Sequence, residues 1–500
     1  MADTKPNILF IITDHQAWFD HRRPGAFTFD LPVWERFCTE GVRFDRAYSV
    51  CPLCTPARAS MMSGLYPSHH GLIWNTDAGP RPGSLIEFRD GQRLFNHPLA
   101  EAGYRNAYIG KWHCGHDRLP VDYGMEGWGL PDYGQPYMSE AYRAYAAERG
   151  LGDARARIEY NLPHPEWAGE TVTLHDPSPW TFMDGTGVFE GPPEAHEEQF
   201  VAHLASEKLK ELAAGGSAWS LVASFWGPHQ PFYPCEPYAS MIDPESIPEY
   251  PSFNDDYVGK PLRHYIHRDL VHHAPRKQWP EWSTWQKVLA RAYAQQMQLD
   301  AAIGGLLRTL EATGQSEDTL VVWVSDHGDA LASHGGLWDK SSTYTEEVAR
   351  VLLAVRWPRR LPAGAATTQL VSNLDTTATM LDAAGVDIPE EMHSRSLLPI
   401  CSDPDVVDEA ACLFVQHHGH GEPFLQRIVL RGKWKYVAAH RDMDELYDLE
   451  TDPYELHNLV DAPEHEDVRT ELRARLIEHI ETTNDPLASR RLLYDLKMGF

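Results

Sequence analysis

Asn7-Ile-Leu-Phe-Ile-Ile12 passes directly into Thr13-Asp14-His15, and the reading of this transition decides the fold class. A short β-branched and aromatic apolar run that stops on polar groups is the pattern of a buried strand with chemistry at its end. The pattern recurs at Ala107-Tyr-Ile-Gly110 before Lys111-Trp112-His113, and at Ser220-Leu-Val-Ala-Ser-Phe225 before Trp226-Gly-Pro-His229. It recurs again at Thr319-Leu-Val-Val-Trp-Val324 before Ser325-Asp326-His327-Gly328. Between these runs lie Ala/Leu-rich amphipathic segments, Glu197 to Ala213 and Trp285 to Glu311, with polar residues on one face. Strands alternating with helices predict an α/β fold, a large mixed, mostly parallel sheet sandwiched by helices. Ligands of such sheets bind beyond the carboxyl ends of the strands, where Asp14, Lys111, His113, His229, Asp326 and His327 stand.

Around this framework the chain is less periodic. Gly115 to Pro193 and Pro228 to Pro280 are rich in Gly, Pro, Tyr and Trp and read as long irregular excursions that build a pocket. After about residue 400 the pattern changes to short alternating strands, Leu413 to Gln416, Arg427 to Arg431 and Trp434 to Ala438, then a helix from about Glu464 to Thr482. The predicted organisation is a large α/β domain over 1–400 and a small C-terminal α+β subdomain over 401–500. The apolar tail Ser489 to Phe500 suits docking on a second copy, so a homo-oligomer is expected.

Composition excludes some classes. The 500 residues carry 44 Lys plus Arg against 72 Asp plus Glu, a net charge of −28 that repels nucleic acid. No apolar run has the roughly 18 residues of a membrane helix, and the start, Met1-Ala2-Asp3-Thr4-Lys5-Pro6, has no signal-peptide character. Seven scattered cysteines form no disulfide framework, and a cytoplasmic location is expected.

Cys51-Pro-Leu-Cys-Thr-Pro-Ala-Arg58 is the most informative motif. Half a zinc site or a redox pair fits a Cys-x-x-Cys spacing, but the cysteines at 38, 114, 235, 401 and 412 supply no second pair. Two buried thiols beside a Pro-rich turn is the plainer alternative.

Cys54-Thr55-Pro56-Ala57-Arg58 also resembles the Cys-x-Pro-x-Arg element of type I sulfatases, members of the alkaline phosphatase superfamily. Further matches follow in order: Gly110-Lys111-Trp112-His113-Cys114-Gly115, His229-Gln-Pro-Phe232, Ser325-Asp326-His327-Gly328, Lys340 after Gly335-Gly-Leu-Trp-Asp, and Leu446-Tyr-Asp-Leu-Glu-Thr-Asp-Pro-Tyr-Glu455 with Asn458-Leu459. They cover nearly the whole chain. The resemblance implies an alkaline-phosphatase-like fold and hydrolysis of sulfate monoesters, as in arylsulfatases. It also implies that a formylglycine-generating enzyme oxidises Cys54 to formylglycine, and that one divalent ion, Ca²⁺ or Mn²⁺, is bound by Asp14, residue 54, Asp326 and His327.

An aldehyde hydrate carries two hydroxyls on one carbon: one, acidified by the cation, attacks in line, and the other expels the product oxygen. Within this resemblance Arg58 holds the hydrate oxygens and nearby backbone. Lys111 and Lys340 face the non-bridging oxygens of the substrate. His113 is assigned as the base for the second hydroxyl and His229 as the acid for the departing alcohol. Each of these residues has an ordinary alternative: a helix-capping carboxylate, a surface ion pair, a solvated lysine or a hydrogen-bonded histidine.

Two features depart from the commonest sulfatase pattern. His15 stands where many members carry a second Asp, and it is a candidate metal ligand. Asn75 lies about where the related phosphonate monoester hydrolases carry an Asn, and it is a candidate substrate ligand. A shell with one carboxylate fewer also suits dianionic phosphoryl groups, so phosphonate monoester or phosphodiester hydrolysis is the rival reading. A non-catalytic anion-binding relative is a third. His69-His70, His272-His273 and His417-His418-Gly-His420 are taken as structural or pocket residues. With a net charge of −28, affinity for an anionic small-molecule ester has to come from the local cluster of metal, Arg58, Lys111 and Lys340.

Overall fold

Asn7–Thr13 (β1) runs through the interior of an eight-stranded sheet in the computed structural model, which describes residues 5–17, 27–79, 81, 83–175, 184–270, 275–340, 343–420, 422–488 and 490–498. The other strands are β2 (Val42–Phe44), β3 (Arg105–Lys111), β4 (Glu126–Leu130), β5 (Trp219–Ser224), β6 (Thr319–Ser325), β7 (Leu353–Arg356) and β8 (Ala365–Thr367). They lie in the order β8-β2-β7-β6-β1-β5-β3-β4. β1 is parallel to β5 and β6, and β3 is parallel to β4 and β5. β7 alone runs antiparallel to its neighbours β6 and β2, so the sheet is mixed and mostly parallel as expected.

The unbroken apolar run of β1 follows from burial on both faces, because alternate side chains point to opposite layers. Ile8, Phe10 and Ile12 meet Ala59, Met61 and Met62 of α1 (Cys54–Ser63) and Met380 and Leu381 of the Thr376–Ala383 helix. Leu9 and Ile11 meet Phe200 and Leu209 of α2 (Glu197–Ala214) and Ile303 and Leu306 of α3 (Trp282–Ala312). Each of these strand residues is fully buried, and each such burial contributes about 1.5–3 kcal/mol. The β1–β6 register pairs Thr13 with Ser325, which sets Asp14 level with Asp326 at the carboxyl edge.

One excursion has more regular structure than the sequence reading assigned to it. Gly115 to Pro193 contains the Glu140–Arg149 helix and a three-stranded antiparallel sheet of Arg155–Asn161, Thr171–Thr173 and Gly185–Phe189. Arg155-Ala-Arg-Ile-Glu does alternate, with Ala156 and Ile158 buried. Its partners are short or glycine-containing, and their pairing comes from distant segments rather than local periodicity.

The C-terminal subdomain is a four-stranded antiparallel sheet of β9 (Cys412–His417), β10 (Gln426–Arg431), β11 (Trp434–Ala439) and β12 (Glu445–Asp448). Leu472, Leu476 and Ile480 of α4 (Glu466–Thr482) cover one face. The other face packs Leu413, Val415 and Ile428 on Tyr48, Tyr344 and Ala349 of the main body. Among the described residues no helix is long and apolar enough to cross a membrane.

The seam between the two parts is lined with histidines. His479 stacks on Phe414 with ring centroids 3.8 Å apart, His393 lies 4.3 Å from the ring of His69, and His69 Nε2 is 2.9 Å from the Thr483 carbonyl. His70 is bonded to Ser60 Oγ at 3.0 Å, so both members of the His69-His70 pair are structural; His272-His273 lies outside the described residues. Burial pushes His393 down to about 4 and His479 and His70 down to about 3. These groups fold neutral, so their contribution is complete above the unfolded histidine pKa of about 6.5 and is lost as pH falls through that value toward 3–4. The melting temperature is therefore expected to fall between pH 7.5 and pH 5, and His479→Phe to flatten that dependence in thermal melts. A melting temperature that rises on acidification contradicts this account.

Candidate active site

Cys54 is the first residue of α1, entered from an extended Leu53, and every residue of that helix is buried. Pro56 is tolerated because it falls in the first turn, where no intrahelical donor is required. Asn75, expected as a substrate ligand, accepts the Thr55 amide through Oδ1 at 3.1 Å and so fixes the start of the helix beside Cys54. The seven cysteines are all free. Cys51 joins none of the metal-ligating clusters formed by the described residues, which leaves a zinc role without support.

Arg58, one turn into α1, is 1% exposed and binds three strand ends. Its Nε donates to Asp326 Oδ2 at 2.8 Å, and its Nη1 donates to Ser224 Oγ at 2.8 Å and the Lys111 carbonyl at 3.3 Å. Burial opposes its charge, but Asp326 and Asp14 outweigh burial and hold it protonated. Arg58 thus braces carboxylates and backbone rather than pointing wholly at residue 54. Gly110 permits this convergence: its φ is 113°, and a Cβ there would stand 1.8 Å from the Ser224 carbonyl oxygen.

The ligand atoms of Asp14, His15, Cys54 and His327 all lie within 4.8 Å of one another. His327 Nε2 is 3.1 Å from Cys54 Sγ, while its Nδ1 is 2.8 Å from the Gly328 carbonyl, so the Nε2 lone pair faces the cluster. Asp14 Oδ1 is buried with no hydrogen-bond partner, although burial is outweighed by Lys111 and Arg58 and its carboxyl is held ionised. An unpaired anionic oxygen beside imidazole nitrogens in a dry pocket fits a divalent cation. Asp326 stands beside this group, 3.9 Å from His327 Nε2, with its oxygens engaged by Arg58 and the amides of His15 and His327.

Two lysines border the cluster. Lys111 contacts Asp14 and lies 4.0 Å from the centroid of the Tyr133 ring. Lys340 Nζ is 2.7 Å from Asp339 Oδ1 and 3.2 Å from His15 Nε2; burial opposes its charge, and Asp339 overrides burial. Both are fully or almost fully buried, so their charge acts in a low-dielectric pocket.

The two histidines assigned to proton transfer sit in opposite fields. His113, 3.7 Å from Asp77, has its pKa raised because Asp77 and Cys54 outweigh burial. His229, whose ring is 4.0 Å from that of His15, is pushed down to about 3 by burial, against which the attraction of Asp14 is insufficient.

Tyr133, Asp77, Asp329 and Asp339 were not singled out from the sequence. The Tyr133 ring faces His113 at 5.6 Å and His229 at 5.3 Å as well as Lys111, linking three of the expected residues from a segment with no periodic signal. Asp329 had a signal, a further carboxylate three residues after Asp326. His420 reaches the rim, 3.7 Å from Asp339, whereas His417 packs edge-on against Phe424.

The family model for sulfatases matches residues 6–386, and a model for the C-terminal part of N-sulphoglucosamine sulphohydrolase matches residues 333–482. A choline-sulfatase of Rhizobium meliloti is 29% identical over 93% of this chain and 84% of its own length. An arylsulfatase of Clostridium perfringens is 24% identical over 95% of each chain. Among solved structures, a phosphonate monoester hydrolase from Silicibacter pomeroyi shares the fold with a TM-score of 0.75, at 20% identity over 97% of each chain. The strand-end carboxylates, the buried Cys54 and the span of these matches lead to one conclusion: the chain belongs to the sulfatase family and is a sulfuric ester hydrolase.

Proposed function

We propose that the protein hydrolyses the sulfate monoester of a small molecule at residue 54, after a formylglycine-generating enzyme has oxidised Cys54. The observation that carries this reading is the enclosure of Cys54 by Asp14, His15 and His327, with Arg58, Lys111 and Lys340 supplying three positive charges around it. Asp14, Asp326, His327, residue 54 and His15 are the groups that would hold the ion. When bound, the ion supplies positive charge that acidifies a hydroxyl and polarises the ester. Formylglycine supplies the nucleophilic oxygen.

Lys111 and Lys340 are placed to receive the non-bridging oxygens, and desolvation strengthens that attraction. Arg58 keeps Asp326 and the Lys111 backbone in place. His113 borders residue 54 and has its pKa raised by Asp77 and Cys54, whereas burial pushes His229 down to about 3. We keep His113 as the base for the second hydroxyl and His229 as the acid for the departing alcohol: a raised pKa makes His113 the stronger base, and a lowered one makes protonated His229 the stronger acid. The overall negative charge does not draw anions in, so recognition is local. The free thiols fit our proposal of a cytoplasmic location, and the tail helix Arg490–Met498 fits a homo-oligomer, with Tyr494 and Met498 exposed.

Phosphonate monoester or phosphodiester cleavage is the second reading, favoured by the imidazole at position 15 in place of a carboxylate.

Cys54→Ala is expected to abolish nearly all turnover of an aryl sulfate, and mass spectrometry of the peptide containing residue 54 to show loss of the thiol in the wild type. An unmodified, dispensable Cys54 would falsify the proposal. Chelation is expected to remove activity and a divalent cation to restore it. The ratio of kcat/KM for an aryl sulfate to that for an aryl phosphonate is expected to exceed unity, and a strong inversion of that ratio selects the second reading.

A further inference from the structure

His15 is held in an uncommon way. Its backbone lies in the left-handed region, φ 64°, a strained conformation for a non-glycine residue. The surroundings enforce it: the His15 amide donates to Asp326 Oδ1 at 3.3 Å, and the Gln16 amide donates to Ser325 Oγ at 2.9 Å. The ring is then locked from one side, because Nδ1 lies 2.9 Å from Asp329 Oδ2. A carboxylate acceptor on Nδ1 puts the proton there and leaves Nε2 as a lone pair.

That Nε2 faces the Asp14–Cys54–His327 cluster, and the His15 and His327 ring centroids are 4.5 Å apart. His327 repeats the same device, its Nδ1 being tied to the Gly328 carbonyl. Lys340 is the present partner of His15 Nε2 at 3.2 Å, but Asp339 holds the same ammonium at 2.7 Å, so Lys340 stays paired when Nε2 turns to an ion.

We propose that His15 and His327 act as a pair of imidazole ligands, with Asp329 as the residue that positions His15, and that this pair makes the site take a transition-metal dication such as Zn²⁺ or Mn²⁺ in preference to Ca²⁺. The chemistry follows from ligand type: Ca²⁺ seeks six to eight oxygens, whereas imidazole nitrogen favours the borderline transition ions. Replacing one carboxylate by imidazole also removes a negative charge that a hard ion would use. This inference rests on the reading that residue 54 and its neighbours hold an ion, and it adds which ion and why.

The test is calorimetric titration of the chelator-treated full-length protein with Zn²⁺, Mn²⁺ and Ca²⁺, with pulsed electron paramagnetic resonance of the Mn²⁺ form to count directly bound nitrogens. The expected result is tighter binding of Zn²⁺ and Mn²⁺ than of Ca²⁺, with two bound nitrogens. Asp329→Asn is expected to weaken Mn²⁺ binding roughly 10–100-fold, the usual effect of losing an outer partner of a ligating histidine, while circular dichroism stays unchanged. His15→Asp is expected to shift the preference toward Ca²⁺ and leave one bound nitrogen. A single nitrogen in the wild type, or the same ion preference in wild type and His15→Asp, overturns the proposal. Aryl sulfate turnover is measured on the same samples: turnover restored by Ca²⁺ with one bound nitrogen keeps the sulfatase reading and sinks this one. Two bound nitrogens without turnover do the opposite.

Discussion

The guanidinium of Arg58 is the group on which the site depends. It is buried and charged, and its three nearest partners are the Asp326 carboxylate from the end of β6, the Ser224 hydroxyl from the end of β5 and the Lys111 carbonyl from the end of β3. A charge in such surroundings is costly unless it is fully paired, and removing one partner of a buried pair typically costs about 3–5 kcal/mol. The strand ends and helix α1 therefore have a single mutual arrangement, and Cys54, one turn before Arg58, is held wherever that arrangement puts it. Positioning of residue 54 and pairing of the buried charge are one constraint.

The same low dielectric shapes the rest of the pocket. Asp14, Lys111, Lys340, His15 and His327 are all nearly inaccessible to solvent, so their mutual attractions are strong and each is tied to a specific neighbour. The net charge of −28 is spread over the molecule, while at the centre Arg58, Lys111 and Lys340 are each paired with a carboxylate, Asp326, Asp14 and Asp339. Screening by solvent weakens the distant negative field more than it weakens these buried contacts.

Much of this was legible in the chain. The run Ile8 to Ile12 could be read as a doubly buried strand because its period and its abrupt polar ending leave few other structures, and β6 repeats that pattern. Asp14, Cys54, Arg58, Lys111, His113, His229, Asp326, His327 and Lys340 were all named from motifs, and the structure brings them together around residue 54. The three-stranded sheet within 155–189 was less legible, since its pairing depends on segments that have no local signal. Tyr133 was invisible for the same reason. It lies just after β4, and its importance comes only from the three side chains its ring touches.

Residue type and order by themselves determined the strand–helix alternation, the Cys54-to-Arg58 motif and the inventory of carboxylates, lysines and histidines, because these follow from short-range periodicity and spacing. Only the tertiary structure decided how that inventory is shared out. Asn75 became a support for the α1 N-terminus, Arg58 a brace for Asp326, and Asp329 the partner of His15. His113 and His229 received opposite protonation preferences. The physical reason is that hydrogen-bond partners and local fields depend on which strand ends meet within a few ångströms, and that juxtaposition is made by the parallel register of β1 with β5 and β6, between residues more than 200 positions apart.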